Sequence, residues 1–407
     1  MSDIRSETFE NTLEHRATMR RLALVLGGLA AFGPLSLDLY LPGLPELSRD
    51  LGVAPSIGQL TITACLAGLA LGQLVAGPLS DRFGRRRPLL LGVALYVLAS
   101  GLCALAPSAE ALLALRFVQG AAGAVGIVVG RAVVRDLHVG DDAARLYSML
   151  SVVSGVAPIL APVLGGQLLL VVPWQGLFVV LAGIGALVLV STALSVEETL
   201  DVSRRTSQGM RAVASGFRAV ASDRTFLRYA LGGGLSVGAM FAYIAGSPFV
   251  LQEVYGLSPQ AFSVVFALNG LGIVLATVLN QRLIGRRSTL ALAHAANRAA
   301  LAAAAVLLAA VLVPATGVVP VLAALFVSVA TVGVVGPNTT ALALADHGAV
   351  AGSASAVVGV LQFLIGALAA PFVGLAGSGT AVPMAVTICL LTLAAAAVLP
   401  RRTTLTT

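Results

Sequence analysis

Apolar runs of about 20 residues recur along the chain at 22–44, 56–79, 88–107, 111–133, 146–169, 175–195, 227–251, 259–280, 288–313, 316–340, 351–375 and 380–399, separated by short polar connections. A run of this length crosses a hydrocarbon core of about 30 Å as a helix, so the pattern predicts an all-α integral membrane protein with twelve transmembrane helices. From Ser195 to Asp223 the pattern breaks into a polar connection that divides six spans from six. The expected organisation is a six-helix bundle over 1–195, a cytoplasmic linker over 196–226 and a second bundle over 227–407. Within the linker, Met210, Val213, Phe217 and Val220 alternate with Arg211 and Arg218, which predicts an amphipathic helix over about 208–221 lying along the membrane face. The segment Met1 to Arg21 carries Glu7, Glu10 and Glu14 and lacks an apolar core with a small-residue cleavage site, so it reads as a polar tail and not as a signal peptide.

Composition removes the soluble alternatives. Of 407 residues 58% are hydrophobic and 11% charged, with mean hydropathy +0.96, far from the roughly 45–50% apolar and 25% charged of soluble domains. The 25 basic residues are all arginine and gather on alternate connections: Arg5, Arg16, Arg20 and Arg21; Arg82, Arg85, Arg86 and Arg87; Arg135 and Arg145; the linker; Arg282, Arg286 and Arg287; Arg401 and Arg402. The other connections hold only Arg49, beside Glu46, Asp50, Glu110 and Glu253. This bias places both termini in the cytoplasm, and its scatter speaks against nucleic-acid binding despite the net charge of +7. Trp174, at the outer end of the sixth span, reads as an interfacial anchor. Cys65, Cys103 and Cys389 each lie inside a span with no disulfide or metal spacing and read as small buried residues. With no lysine there is no nucleotide-binding GxxxxGK[ST] loop, and no triad or paired-carboxylate pattern supports an enzyme. No cofactor is expected, and energy must come from an ion gradient or from the solute itself.

Four arginines and an aspartate concentrate in GPLSDRFGRRR, residues 77–87, just after the second span. A weaker copy, NQRLIGRRSTL at 280–290, follows the eighth span and lacks the aspartate. A repeat about two hundred positions apart suits a transporter whose two bundles rock about a central site. The first copy resembles the signature loop of the major facilitator superfamily, matching at Gly77, Asp81, Arg82, Gly84, Arg85 and Arg86. LRFVQGAAGA at 115–124 resembles that family's fourth-helix motif, with Arg116, Gln119 and Gly120 in place. SGVAPILAPVLGG at 154–166 resembles the exporters' fifth-helix motif through Gly155, Pro158, Pro162, Gly165 and Gly166. Its spacing, together with SLDLYLPGLPEL at 36–47, RAVVRDL at 131–137 and PNTTALAL at 337–344, resembles the Bcr/CflA drug-resistance branch. The resemblance implies two pseudo-symmetric six-helix bundles, proton antiport, a gating latch in the 77–87 loop with Asp81 as its moving contact, and a helix motif that shapes the central interface and limits proton leak; the alternatives are arginines that only hold the loop inside, and ordinary small-residue packing of the helix. It also implies a role in proton coupling for Arg116.

The residues themselves narrow the chemistry. Asp38 is the acidic residue set well inside a span, where an ionised carboxylate costs several kcal/mol unless it is paired or reached by water. That makes it a candidate proton carrier and counter-charge for a cationic or polar drug; an aspartate at a wet helix end is the alternative, since Pro42 and Pro45 follow closely. Arg116 and Arg298 lie inside spans and are the complementary charges. Arg116 could instead snorkel to the near surface, and Arg298, with His294 four residues earlier on the same face, is expected at the cavity. Tyr40, Gln119 and Asn338 join the expected coupling and substrate set. Asn269, Asn297, Thr339, Thr340 and Gln362 add uncharged polar groups, any of which could instead be a satisfied helix contact. Arg131 and Arg135, one turn apart and followed by Asp136, are expected as a salt-bridged inner gate or as topology charges. The reading is a proton-driven exporter of small lipophilic drugs, chloramphenicol-like or cationic, working as a monomer among lipids in the cytoplasmic membrane of a bacterium. The alternatives are an exporter of an endogenous metabolite such as a sugar or self-made antibiotic, and, further off, a passive channel or nontransporting sensor.

Overall fold

A computed structural model of the chain describes residues 23–138, 140–205, 220, 222–347, 351–374, 377 and 379–400. The described residues form twelve apolar helical segments and no sheet. The first six are α1 (Ala23–Asp50), α2 (Pro55–Phe83), α3 (Arg86–Ala104), α4 (Ala109–Leu137), α5 (Gly140–Leu168) and α6 (Trp174–Ser195). The second six are α7 (Arg224–Val254), α8 (Pro259–Leu283), α9 (Thr289–Leu312), α10 (Val318–Leu344), α11 (Ala351–Val373) and α12 (Val382–Val398). Eleven are long enough to cross a bilayer by length and composition, and α12, at 17 residues, is the short one. The polar tail expected before Arg21 and most of the amphipathic helix expected over 208–221 lie outside the described residues.

Local chemistry sets the helix limits. Ser108, Ser258 and Ser288 accept a hydrogen bond from a first-turn backbone N–H of α4, α8 and α9, and Asp223 does the same for two at the start of α7. Pro55 and Pro259 open α2 and α8, where their missing N–H costs nothing. The two halves repeat a turn as well as a helix count. Gly84 and Gly285, just past the ends of α2 and α8, take φ of 87° and 88°, a conformation that favours glycine and reverses the chain tightly. Pairing the two loops by these glycines places Arg282 where the first copy has Asp81.

Burial identifies the interior helices. In their most apolar stretches α1 is 72% and α7 is 89% buried, against 28% for α8 and 33% for α6, whose outward faces are left for lipid. Both inner helices break their α-helical pattern toward the same end: α1 into a 3-10 turn at Leu41–Gly43 containing Pro42, and α7 into a π turn at Val250–Val254 just after Pro248. The breaks meet, because Gln252 Nε2 donates to the carbonyl of Pro42 at 3.1 Å.

That contact belongs to a seam between the halves at the arginine-poor end. Thr63 Oγ1 of α2 donates to the Ala367 carbonyl of α11 at 3.1 Å, and Gln260 Nε2 of α8 donates to the Gly166 carbonyl of α5 at 2.8 Å. Arg49 stands 3.6 Å from Glu253 at the surface. At the arginine-rich end no hydrogen bond or ion pair joins the halves among the described residues, and a cavity opens between them there. Trp174, expected as an interfacial anchor, is instead 2% exposed. Its indole N–H reaches Asp50 at 2.9 Å and its ring meets Phe178 edge-on, so it ties the end of α1 to α6. A buried indole finds its hydrogen-bond partner inside the protein when one is within reach.

Candidate functional site

The cavity between the halves has a volume of about 1360 Å³ and runs from Asp38 to Asp81, Arg85, Arg131 and Arg135 at the arginine-rich end. Apolar and aromatic groups dominate its middle, among them Met240, Phe241, Ile244 and Phe363, with Gln73, Asn269 and Gln362 as polar points. Tyr243 and Phe266 stack at 5.5 Å, and Asn269 Nδ2 donates to the Tyr243 hydroxyl at 2.8 Å. This is the composition of a site for a drug-sized molecule, with a mostly apolar wall and few polar groups to fix orientation.

Asp38 stands at the closed end of that cavity, 5% exposed, and its carboxylate makes no hydrogen bond or ion pair among the described residues. Its expected complement, Arg116, is turned elsewhere. Arg116 is wholly buried and donates through Nη2 to the Ser36 carbonyl at 2.7 Å and through Nη1 to Gln119 Oε1. Its guanidinium lies 4.3 Å from the ring centre of Tyr40 and 5.5 Å from that of Phe178. The rest of the network is neutral: Gln119 donates to Ser100 at 2.7 Å, Ser100 to the Tyr96 carbonyl at 2.7 Å, and the Tyr96 hydroxyl meets Ser36 at 2.9 Å. Two aromatic faces and a ring of dipoles thus hold a cation without a carboxylate, while Nε of Arg116 is left without a partner. The arrangement fixes the α1 backbone at Ser36, two residues from Asp38.

The arginine-rich mouth is organised by Arg85. Its side chain is 2% exposed and reaches Asp136 at 2.8 Å, Asp81 at 2.6 Å and Ser80 at 2.7 Å. Burial works against its charge, but the two carboxylates outweigh burial and raise its pKa further. Glu198, just after α6, accepts the backbone N–H groups of Arg85 at 2.7 Å and Arg86 at 3.3 Å, and lies 3.8 Å from Arg205. Arg86 in turn donates to the Val196 and Ala193 carbonyls, both at 3.0 Å. The loop, the end of α4 and the segment after α6 are therefore one polar unit. Arg282 stands at the position of Asp81 in the second copy, and Arg286, the counterpart of Arg85, makes no ion pair among the described residues. Among the described residues this charged network is confined to the first half.

Several expected site residues fall elsewhere. Arg298 is exposed on the outside of α9, away from the cavity, with Nε 3.4 Å from the His294 carbonyl. Asn338 is buried against Asn280 at 2.7 Å, a contact between α10 and α8 and not part of the lining. Tyr40 and Gln119 are not in the cavity lining and contact Arg116 instead, with Tyr40 also 2.9 Å from Thr61. Arg131 and Arg135 line the mouth: Arg131 has no carboxylate partner among the described residues, and Arg135 makes a long ion pair, 4.0 Å, with its chain neighbour Asp136, which Arg85 holds more closely. Gly77 lines the cavity, Arg82 is exposed, and Gly84 makes the turn. The helix motif divides: Gly155 and Pro158 line the cavity, Pro162 is buried, Gly165 leaves no room for a Cβ against the Leu39 carbonyl of α1, and Gly166 packs on Ser263 of α8. Tyr243, Phe266 and Glu198 were not anticipated. Single aromatics in apolar spans and one glutamate in a polar connection carry no spacing signal.

Comparison with known proteins agrees with this architecture. The family profile described as Major Facilitator Superfamily matches residues 25–371. A protein named as an uncharacterized MFS-type transporter, YdgK of Bacillus subtilis (strain 168), is 41% identical over 365 residues, 89% of this chain and 90% of its own. A bicyclomycin resistance protein homolog of Haemophilus influenzae is 30% identical over 364 residues, with the same 89% and 90% coverage. Among solved structures, the nucleoside transporter NupG superposes with a TM-score of 0.74 over 94% of this chain and 100% of that one, at 12% identity, a likeness of fold.

Proposed function

The chain belongs to the Major Facilitator Superfamily, as a secondary transporter and not an enzyme, and from that premise we propose that it is a proton-coupled exporter of small lipophilic or cationic drugs. The observation that carries this reading is the lone carboxylate of Asp38 at the closed end of an aromatic cavity. A carboxylate with no internal partner can be neutralised by a proton or by a cationic substrate, and not readily by both. Competition for one group is the minimum device for antiport. Binding of drug from the open end displaces the proton; opening of the opposite end lets a proton displace the drug.

The orientation set by the arginine bias makes the open end cytoplasmic and the protein multi-pass in a bacterial cytoplasmic membrane. One elementary charge moved through 100 mV is worth about 2.3 kcal/mol, roughly fiftyfold in the equilibrium. The names of the relatives, which include a bicyclomycin resistance protein homolog and multidrug resistance protein MdtL, support a place in the Bcr/CflA drug-resistance branch. The uncharged lining groups Gln73, Asn269 and Gln362 favour a second reading, export of a polar endogenous metabolite such as a sugar.

The test is uptake into proteoliposomes with an acidic lumen, using chloramphenicol-like, cationic and sugar panels beside Asp38→Asn. Gradient-driven drug uptake lost in the variant is expected. Saturable uptake of sugar with none of drug would transfer the assignment to the metabolite exporter, and uptake unchanged by Asp38→Asn would remove Asp38 from coupling.

A further inference from the structure

Arg298 poses a problem that drug export does not solve. It sits nine residues into α9, roughly 13 Å along the axis from Thr289, and faces outward. A charge on the lipid face of a span is costly unless its head reaches the interface. Helical side chains lean toward the N-terminus, which for α9 is the arginine-rich end, so the head of Arg298 is carried toward that surface.

The neighbouring helix makes room for it. α12 has 17 residues and spans roughly 25 Å, less than the hydrocarbon core of about 30 Å. Its end is level with the second turn of α9 and not with its start: the Pro400 carbonyl meets Nε2 of His294, five residues into α9, at 2.8 Å. On the other flank Arg228 of α7 is exposed and donates through Nε to the Val398 carbonyl at 3.1 Å. The short helix thus ends between Arg228 on one flank and His294 on the other, with the exposed Arg298 one turn beyond His294 on α9.

Both guanidiniums use only Nε on backbone carbonyls, and neither makes a further hydrogen bond or ion pair among the described residues. That leaves each Nη pair for an external acceptor. Asp223, the nearest acid before Arg228 in sequence, is engaged in capping α7 and stands 3.4 Å from His347.

We propose that the surface formed by Arg228, His294 and Arg298 around the end of α12 binds the phosphate of an anionic phospholipid in the leaflet at the arginine-rich end. A short helix lets the bilayer surface dip locally, which brings a headgroup down to arginines that a longer α12 would hold away from it. Planar guanidiniums suit the phosphate oxygens as donors. The lipid would cover the polar end of α12 and hold α7, α9 and α12 together.

Native mass spectrometry of the purified full chain in non-ionic detergent, titrated with phosphatidylglycerol or phosphatidylcholine, tests the site independently of transport. The Arg228→Gln/Arg298→Gln variant should bind phosphatidylglycerol about thirtyfold more weakly, the loss expected from two interfacial charges. Arg286→Gln/Arg287→Gln, in the nearby loop, should change it much less. Equal losses in the two pairs, or equal binding of both lipids by the native chain, would reduce the site to general surface charge and overturn the proposal. Displacement of the lipid by excess inorganic phosphate would assign the surface to a soluble anion and overturn it too. Should the double variant not remain monodisperse, Arg298→Lys and Arg298→Gln decide: lysine should keep most of the binding and glutamine lose about fivefold, and indistinguishable binding would refute the site.

Discussion

The guanidinium of Arg116 lies 4.3 Å over the ring of Tyr40, while Asp38, two residues from Tyr40 on the same helix, makes no ion pair among the described residues. The two buried groups of opposite sign are thus not paired with each other. Aromatic faces and dipoles stabilise the Arg116 cation in place of a carboxylate, so Asp38 stays available to the cavity.

Arg116→Lys tests that division. A lysine keeps the charge but not the planar stack or the paired donors to Ser36 and Gln119. We expect transport to fall at least tenfold in Arg116→Lys and Arg116→Gln alike, a loss of about 1.4 kcal/mol or more in positioning α1. Gradient-driven flux in proteoliposomes, with expression and monodispersity as controls, is the measurement, and full activity in the lysine variant would show that charge alone suffices.

Breaking the Arg85 unit should be costly to the fold. Arg85→Gln leaves Asp136, whose side chain is 2% exposed, without its close cation, with only the exposed Arg135 at 4.0 Å. Loss of one partner of a buried pair costs about 3–5 kcal/mol. Asp81→Asn, at a carboxylate 36% exposed, should cost much less and act on the distribution of open states. Thermal unfolding in detergent should rank Arg85→Gln well below Asp81→Asn.

Glu198 gives the mouth a pH dependence. Partial burial opposes its ionisation, but the N–H groups of Leu200, Arg85 and Arg86 and the charge of Arg205 outweigh it and hold the pKa below the usual 4.5. A lowered folded-state pKa contributes stability that is fully present above about 4.5 and is lost as the pH falls through the lowered value. Glu198→Gln should therefore unfold earlier than the native chain at pH 7, and the difference should close toward pH 3. A constant difference across that range would mean that the glutamate acts by shape and not by charge.

The seam at the arginine-poor end can be wedged. A Cβ at Gly166 would stand 3.1 Å from Ser263 Cβ and 3.2 Å from the Pro259 carbonyl across the halves. Gly166→Val should penalise the closed seam by about 1–3 kcal/mol, roughly five- to hundredfold in population. Labelling of a cysteine introduced beside Asp38 should then become faster from the arginine-poor side, and an unchanged rate would show that α5 yields without opening the seam.

Much of this was legible before any coordinates. Runs long enough to cross a bilayer, a polar break after six of them and an arginine bias determined the helix count, the two halves and the arginine-rich face, because the bilayer imposes length and charge rules on the chain one segment at a time. The 77–87 loop and its weaker copy at 280–290 were also legible as a repeat. Which way each span faces was decided only by packing. Membrane helices are apolar toward lipid and toward one another, so little periodicity marks the inner side of α9 or α10. That is why Arg298 could be expected in the cavity and lies outside it, why Asn338 joins α8 and not the lining, and why Trp174 is buried on Asp50. The partners of Arg85 and Arg116 come from distant helices and a connecting segment, and only the assembled bundle selects among the acids, carbonyls and rings that each could have met.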